Sequence, residues 1–593
     1  VATGAPIAAR RTRGSTRARR RTRSSPQATT SSSATGEYAV QGVPDMRRTG
    51  RTEWRLWAVL IVSLTGACDS DTTRNDTDTV DHDSVPLSHT PPPYDPYPPG
   101  LLPRDLESEI DRVTAEVDRI FREALAQWKA IPRPTLTGNP PTLQNTGKRL
   151  VEILGKLELF DKTISVNGNV ACSFCHMPYA GFSGPISSVN ATVVAYPGSV
   201  HYRFGKRKPQ SYTYSPFYPK LEYNQTQQDF YGGNFWDLRS TGYEIQNPDA
   251  EQAQHPVVDT QEHGFPDTAC IVFRLSQAPY RPLFELIWGK QAFDIDFPSD
   301  TRRICTTPGG AAVFHGNAMP VALSRTDRGR ASATFDQFAL SISAYEASPD
   351  VSAFSSKFDA FVAGAATLTD EEMAGWQLFR GRAVCNTCHL DGTENSTASI
   401  AQTSIASKAP LFTDFTSANL GLPRNPENPF YFENVPDRYG FTANPAGRAF
   451  TDLGVGLFLR SEAGGVNVEA SWTSLAPTFD GKMQVATARN VDLRPCPTFV
   501  KAYMHNGYLK SLKEVVHFYN TRDAFLPGVP CTRDTEKKTC WPPPEVDANK
   551  DMTIGNLGLT DQEEDQLVAF LRTLTDGYTR PYTDFNMFTG TCR

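Results

Sequence analysis

Two pentapeptides, Cys172-Ser-Phe-Cys175-His176 and Cys385-Asn-Thr-Cys388-His389, put two thiols and an imidazole at a spacing suited to one reaction. Cysteines separated by two residues on one helical turn reach the two vinyl groups of a single porphyrin, and the adjacent histidine then turns its ring toward the iron. A redox dithiol of the same spacing normally accompanies a strand–helix–strand pattern, and zinc requires four ligands clustered more closely; neither context surrounds these motifs. The chain is therefore expected to carry two covalently bound haem c groups, with His176 and His389 as iron ligands.

The motifs use four of the 11 cysteines. Another, Cys68, ends the segment MRRTGRTEWRLWAVLIVSLTGAC, which has a charged start at Arg47, Arg48, Arg51 and Arg55, an apolar stretch and a small-residue cleavage site. This reads as an export signal over residues 46–68, opening at Met46. Its end is like a lipoprotein box except for Thr65 where Leu is usual, so lipid attachment at Cys68 and simple cleavage both stay open. The apolar stretch is too short to span a bilayer. Export implies a periplasmic or cell-envelope location and an oxidising compartment. The six remaining cysteines are an even number that favours disulfides; nearness in sequence suggests Cys270 with Cys305 and Cys531 with Cys540, leaving Cys496 and Cys592.

The elements that must position the motifs follow from pattern. At 593 residues and 39% hydrophobic content, the chain is long enough for two or three cored domains, and a net charge of -6 gives no ground for a nucleic-acid partner. Residues 1–45 are rich in Arg, Ser and Thr without apolar periodicity, and read as a disordered basic segment or as untranslated sequence. Residues 69–100 are rich in Asp and Pro, an extended tether. Beyond them, apolar residues recur at helical intervals over Arg104–Ala130, Thr146–Leu159, Asp336–Glu346, Asp370–Phe379, Ser511–Asn520 and Asp561–Leu574, with long loops between. Two segments look alike, LGKLELFDKTISVNGNVACSFCH and LTDEEMAGWQLFRGRAVCNTCH, each running helix, Leu-Phe, loop and motif. The fold class is mainly α, two cytochrome c-like haem domains with long irregular loops, divided as residues 101–350 and 351–593.

With the motifs in hand, the stretches LFDKTISVNG, GNFWDLRSTG, AEQAQHPVVDTQEHGF, LFTDFTSANLGLPRN, TARNVDLRP and YMHNGYLKSLKEVVHFYN, in that order, resemble the bacterial di-haem cytochrome c peroxidases and the related MauG proteins over Leu154 to Tyr578. The resemblance implies that the first haem meets hydrogen peroxide and the second receives electrons from a small cytochrome or cupredoxin. It implies Glu262 as acid and base, Gln252 as its distal companion, and Trp236 as the residue between the haems, which could equally be a core aromatic. Between Trp236 and Gln252, GYEIQNPDAEQ contains a short insertion. His201 falls where family members keep a removable sixth ligand of the first iron; a loop histidine is the plainer reading. Tyr519 falls at the sixth ligand of the second iron, as in MauG, with Met504 and Met483 as rivals; with Leu512, Val515 and Val516 it also forms an ordinary core stripe. The family's calcium loses one ligand here, because Lys208 stands in its place, and calcium stays open. Three functions are compatible with this reading: a peroxidase, a MauG-like oxidase that modifies a partner protein, and an electron-transfer cytochrome without chemistry of its own.

Overall fold

A computed structural model describes residues 96–131, 136–137, 142–143, 150–392, 410–460, 470–525 and 530–581. The basic segment, the export signal with Cys68, nearly all of the tether, the start of the helix predicted from Thr146, and Cys592 lie outside the described residues. Helices dominate. In the first half they are α1 (Leu106–Lys129), α2 (Leu150–Leu159), α3 (Cys172–Cys175), α4 (Ser187–Ala191), α5 (Pro248–Val258), α6 (Thr268–Leu275), α7 (Arg281–Trp288), α8 (Thr301–Ile304) and α9 (Arg325–Glu346). The second half contributes α10 (Lys357–Val362), α11 (Asp370–Arg380), α12 (Val455–Arg460), α13 (Leu512–Thr521) and α14 (Asp561–Arg572). Strands are confined, among the described residues, to three short antiparallel pairs: β1 (Leu136–Thr137) with β2 (Thr142–Leu143), β3 (Glu222–Asn224) with β4 (Asp229–Tyr231), and β5 (Ser417–Ala418) with β6 (Met483–Gln484). The class is mainly α, with long irregular loops between the helices.

Two close helix crossings organise the described helices. In the first, α2 packs on α9 at Gly155, where a methyl group would stand 1.9 Å from the carbonyl oxygen of Ser341. In the second, α11 packs on α14 at Gly375, where a methyl group would stand 1.9 Å from the carbonyl oxygen of Gln566. Only a residue without Cβ lets the backbones approach that closely. Both helices of the second crossing begin with a capping box, Thr369 with Glu372 and Thr560 with Glu563, which fixes where each starts. Leu154, Leu157, Phe338 and Ile342 are buried around the first crossing, and Phe379, Leu567 and Phe570 around the second.

The predicted helices form with two differences. α9 begins at Arg325 rather than Asp336, because Ser324 accepts a hydrogen bond from the Asp327 amide and nucleates a polar first half that has little apolar periodicity. α5, α6 and α7 were not anticipated; α5 starts from Asn247, whose side chain accepts from the amides of Asp249 and Ala250, with Pro248 at its first position.

Two smaller apolar clusters join segments of both halves. Leu221, Phe230 and Leu238 meet Val455, Phe458 and Phe479, and Tyr214 and Tyr218 meet Leu411 and Phe415. Disulfides close between Cys270 and Cys305 and between Cys531 and Cys540, as sequence nearness suggests.

Candidate functional site

Both motifs open into cavities of their own. The first is lined by Cys172, Cys175 and His176 together with Gln252, Glu262 and His263; the second by Cys385, Cys388 and His389 together with Met483, Met504 and Tyr519. The four motif cysteines are the free cysteines among the described residues, so each cavity holds a reduced thiol pair beside an imidazole.

The two histidines are held in the same way. Nδ1 of His176 lies 3.3 Å from the carbonyl oxygen of Phe182, and Nδ1 of His389 lies 3.0 Å from that of Phe412. A carbonyl only accepts, so Nδ1 carries the proton in each ring and Nε2 keeps its lone pair for a metal. Burial favours the neutral ring, lowering His176 to about 4 and His389 below its ordinary value. Phe182 and Phe412 are both fully buried and both adopt left-handed backbone, with φ of 56° and 51°. For a bulky residue that conformation costs about 1–3 kcal/mol, and here it aims the carbonyl at the ring. Thiol pair, oriented imidazole and enclosing cavity fit a covalently attached haem in each place.

In the first cavity the acid side is supplied by α5 and the turn that follows it. Gln252 projects from α5, and Glu251 beside it accepts hydrogen bonds from the amides of Gly242, Glu244 and Ile245, which ties down the inserted loop. After α5 the chain reverses through Gly264 (φ 73°), with the amides of Glu262 and Gly264 both donating to the Asp259 carbonyl. The Glu262 carbonyl accepts from the Ser199 amide at 2.7 Å, and the neighbouring Gly198 leaves no room for a methyl group, which would lie 2.2 Å from the Gln261 oxygen. Burial first, then the nearby Asp259, push the Glu262 carboxyl up to about 8, against the pull of Arg239.

Trp236 and Lys208 belong to the walls of both cavities. The Trp236 indole N–H donates to the Lys208 carbonyl at 3.1 Å, and its ring meets that of His505 edge-on at 6.4 Å. The Lys208 ammonium donates to Ser183 Oγ at 2.9 Å and to the Pro209 carbonyl at 3.0 Å, and burial lowers it to about 8. Beneath them Arg207 binds Asp237 from the first half at 2.7 Å and Asp452 from the second through two bonds of 2.6 and 2.7 Å, all three side chains buried. Among the described residues no cluster of three or more His, Cys, Asp or Glu side chains is placed to hold a further metal ion.

Tyr519, from α13, reaches the second cavity, where burial and the sulfurs of Cys388 and Cys385 raise its phenol above the ordinary value. Met504, at φ 67°, and Met483 share that cavity, so all three ligand candidates named from the sequence line one cavity. His201 stands apart: its Nε2 pairs with Glu107 of α1 at 2.9 Å, the ring is substantially exposed, and it does not belong to the wall of the first cavity.

Three other contributors, His263, Phe182 and Phe412, carry no signal in sequence. His263 is buried with Nδ1 donating to the Ile164 carbonyl at 2.7 Å and Nε2 3.6 Å from Cys172 Sγ, and nothing in its residue type separates it from a loop histidine. Phe182 and Phe412 act through backbone carbonyls. Glu346 also lines the first cavity, and it does have a signal: it continues the apolar register of Phe335, Phe338, Ala339 and Ile342 along α9.

Comparison with known proteins follows the same lines. Residues 150–367 match the profile of the di-haem cytochrome c peroxidase family. The chain is 26% identical over 426 residues to the methylamine utilization protein MauG of Paracoccus denitrificans (strain Pd 1222), covering 71% of this chain and 88% of that protein. It is 26% identical over 452 residues to the cytochrome-c peroxidase IdrP1 of Denitromonas iodatirespirans, covering 75% and 85%. Among solved structures, the diheme peroxidase BthA from Burkholderia thailandensis E264 superposes with a TM-score of 0.48 at 23% identity, over 75% of this chain and 93% of that one.

Proposed function

We propose, from these resemblances, that the chain is a member of the di-haem cytochrome c peroxidase and MauG family, and that it binds one c-type haem in each cavity and reduces hydrogen peroxide to water. The observation that supports this reading is the pairing of two Cys-x-x-Cys-His sites with a glutamate, Glu262, held by the turn after α5 in the wall of the first.

Cys172 and Cys175 would hold the first haem through thioethers with His176 Nε2 toward its iron; Cys385, Cys388 and His389 would hold the second. When bound, the haems would supply redox-active iron for the chemistry at the first cavity. The net reaction consumes one peroxide, two electrons and two protons and yields two waters. Glu262 takes a proton from one peroxide oxygen and returns it to the other, which leaves as water. Gln252, on the same wall, orients the peroxide by hydrogen bonding. Electrons from a small cytochrome or cupredoxin enter at the second cavity and cross at Trp236, whose indole borders both. A ligand role for His201 requires a loop rearrangement that breaks its pair with Glu107. Lys208, in the walls of both cavities, stands where the family's calcium ligand would be, and calcium is left open.

We place the enzyme's work in the periplasm or cell envelope, on the export-signal pattern over residues 46–68 and on two disulfides of the kind that persist in oxidising compartments, with lipid at Cys68 as its tether. No described helix is long and apolar enough to cross a membrane.

The test uses purified mature protein, fully oxidised and half-reduced, mixed with one equivalent of peroxide while haem spectra and oxidation of a reduced small cytochrome are followed. Two donor molecules oxidised per peroxide is the expected result, and a protein unreactive in both forms is a pure electron carrier. Tyr519 in the second cavity favours a second reading, a MauG-like oxidase acting on a partner protein. Under that reading peroxide oxidises the haems, the small donor is scarcely consumed, and partner side chains are modified.

A further inference from the structure

Where α9 ends, Glu346 occupies a position that the helix otherwise gives to apolar side chains, and Asp249 in the first turn of α5 meets it. They are 3% and 1% exposed. Asn234 Nδ2 lies 3.5 Å from Asp249 Oδ1, and the hydroxyls of Ser215 and Ser343 turn toward the same carboxyl. Even so, Oδ2 of Asp249 and Oε2 of Glu346 are buried with no N–H or O–H donor, and neither residue pairs with a cation among the described residues. Two ionised carboxylates in contact and out of water are far costlier than two that share a proton. Burial raises both groups, Asp249 to about 6 and Glu346 further, with the charge of Asp249 adding to the effect on Glu346.

The position of the pair gives the shared proton a use. Glu346 belongs to the wall of the first cavity, and its charge is felt at Cys172. Of the titratable groups on the surrounding elements, α3 presents Cys172, a thioether once haem is attached; Glu158 of α2 and Glu262 after α5 act on Cys172 rather than on the pair. Ser215, Ser343 and Asn234 are neutral. A negative charge arriving in the cavity therefore meets two acid systems, Glu262 and the Asp249–Glu346 pair, of which the pair alone brings two buried carboxyls into contact over a shared proton.

We propose that Asp249 and Glu346 form a proton-loading pair for the first cavity, binding a second proton when the haem held at Cys172 and Cys175 gains an electron and releasing it on reoxidation. The proposal rests on the haem reading above. The bookkeeping is one electron and one proton in together, with net charge in the cavity unchanged. Released on reoxidation, that proton is one of the two that peroxide reduction consumes.

The experiment is spectroelectrochemical titration of the first haem in the holoprotein as a function of pH. In the wild type the midpoint potential is expected to fall toward ~59 mV per pH unit, the tenfold change in proton activity converted at one electron. Glu346→Gln and Asp249→Asn are expected to flatten that slope, with both haems still attached by mass and the second haem's spectrum unchanged. If the variants do not fold, infrared difference spectra of the wild type decide, because reduction of the first haem should create a protonated-carboxyl C=O band that shifts in D2O. Equal slopes in wild type and variants, no slope in the wild type, or no such band overturns the proposal. Wild-type protein lacking haem at Cys172 and Cys175 instead overturns the functional reading on which it stands.

Discussion

In the proposed reaction Glu262 accepts a proton from peroxide; burial and Asp259 hold its carboxyl near 8, so the ionised fraction grows through neutrality instead of saturating below it. Peroxide kcat/KM is accordingly expected to rise with pH to an inflection near that value. Glu262→Gln should lower turnover by ~10²–10⁴ and remove the inflection, with haem content unchanged. Steady-state peroxide consumption across pH, normalised to haem, measures both, and undiminished turnover excludes Glu262 from the chemistry. At this scale the sequence is legible where covalent chemistry dictates spacing, as in the two pentapeptides, and Glu262 is legible only through the stretch around it. His263 is not, since its role depends on Ile164 and Cys172 being brought to its two nitrogens by a turn that residue types do not announce.

Among elements, the crossings at Gly155 and Gly375 are the least tolerant contacts, because the group in the way is a helix carbonyl and not the end of a flexible side chain. Gly155→Ala and Gly375→Ala should each destabilise the holoprotein by ~1–3 kcal/mol, although alanine is the better helix former, with the loss read as a lowered Tm. An unchanged or raised Tm would mean that the helices part at no cost. Strong apolar periodicity made α1, α2, α11, α13 and α14 legible in outline. α5 was hidden by its polar composition and by Pro256 within it, and the first half of α9 by its run of Arg, Asp, Ser and Thr. In both, the deciding information is a cap and the surface against which the helix packs, and neither is written in the period of the sequence.

Across the whole molecule, the halves are sewn together by the two mixed apolar clusters and by Arg207, whose guanidinium answers a buried carboxylate from each side. Against burial, Arg239 and then Arg207 hold Asp237, and Arg207 holds Asp452, well below the usual carboxylate range. Arg207→Leu leaves Asp452 without its buried partner and should cost ~3–5 kcal/mol in denaturant unfolding, and Arg207→Lys should recover only part of it because an ammonium lacks the planar fork. Equal stability of all three proteins would show that water reaches this site. The state of the cysteines, finally, dictates an order of manufacture. If haem is attached as proposed, the four motif thiols must stay reduced until porphyrin binds while Cys270–Cys305 and Cys531–Cys540 oxidise, yet each motif pair is itself spaced to close on its neighbour. Chains refolded in air from denaturant should emerge colourless, with extra intramotif bonds detectable by thiol counting, whereas co-expression with a haem-ligating maturation system should give red protein.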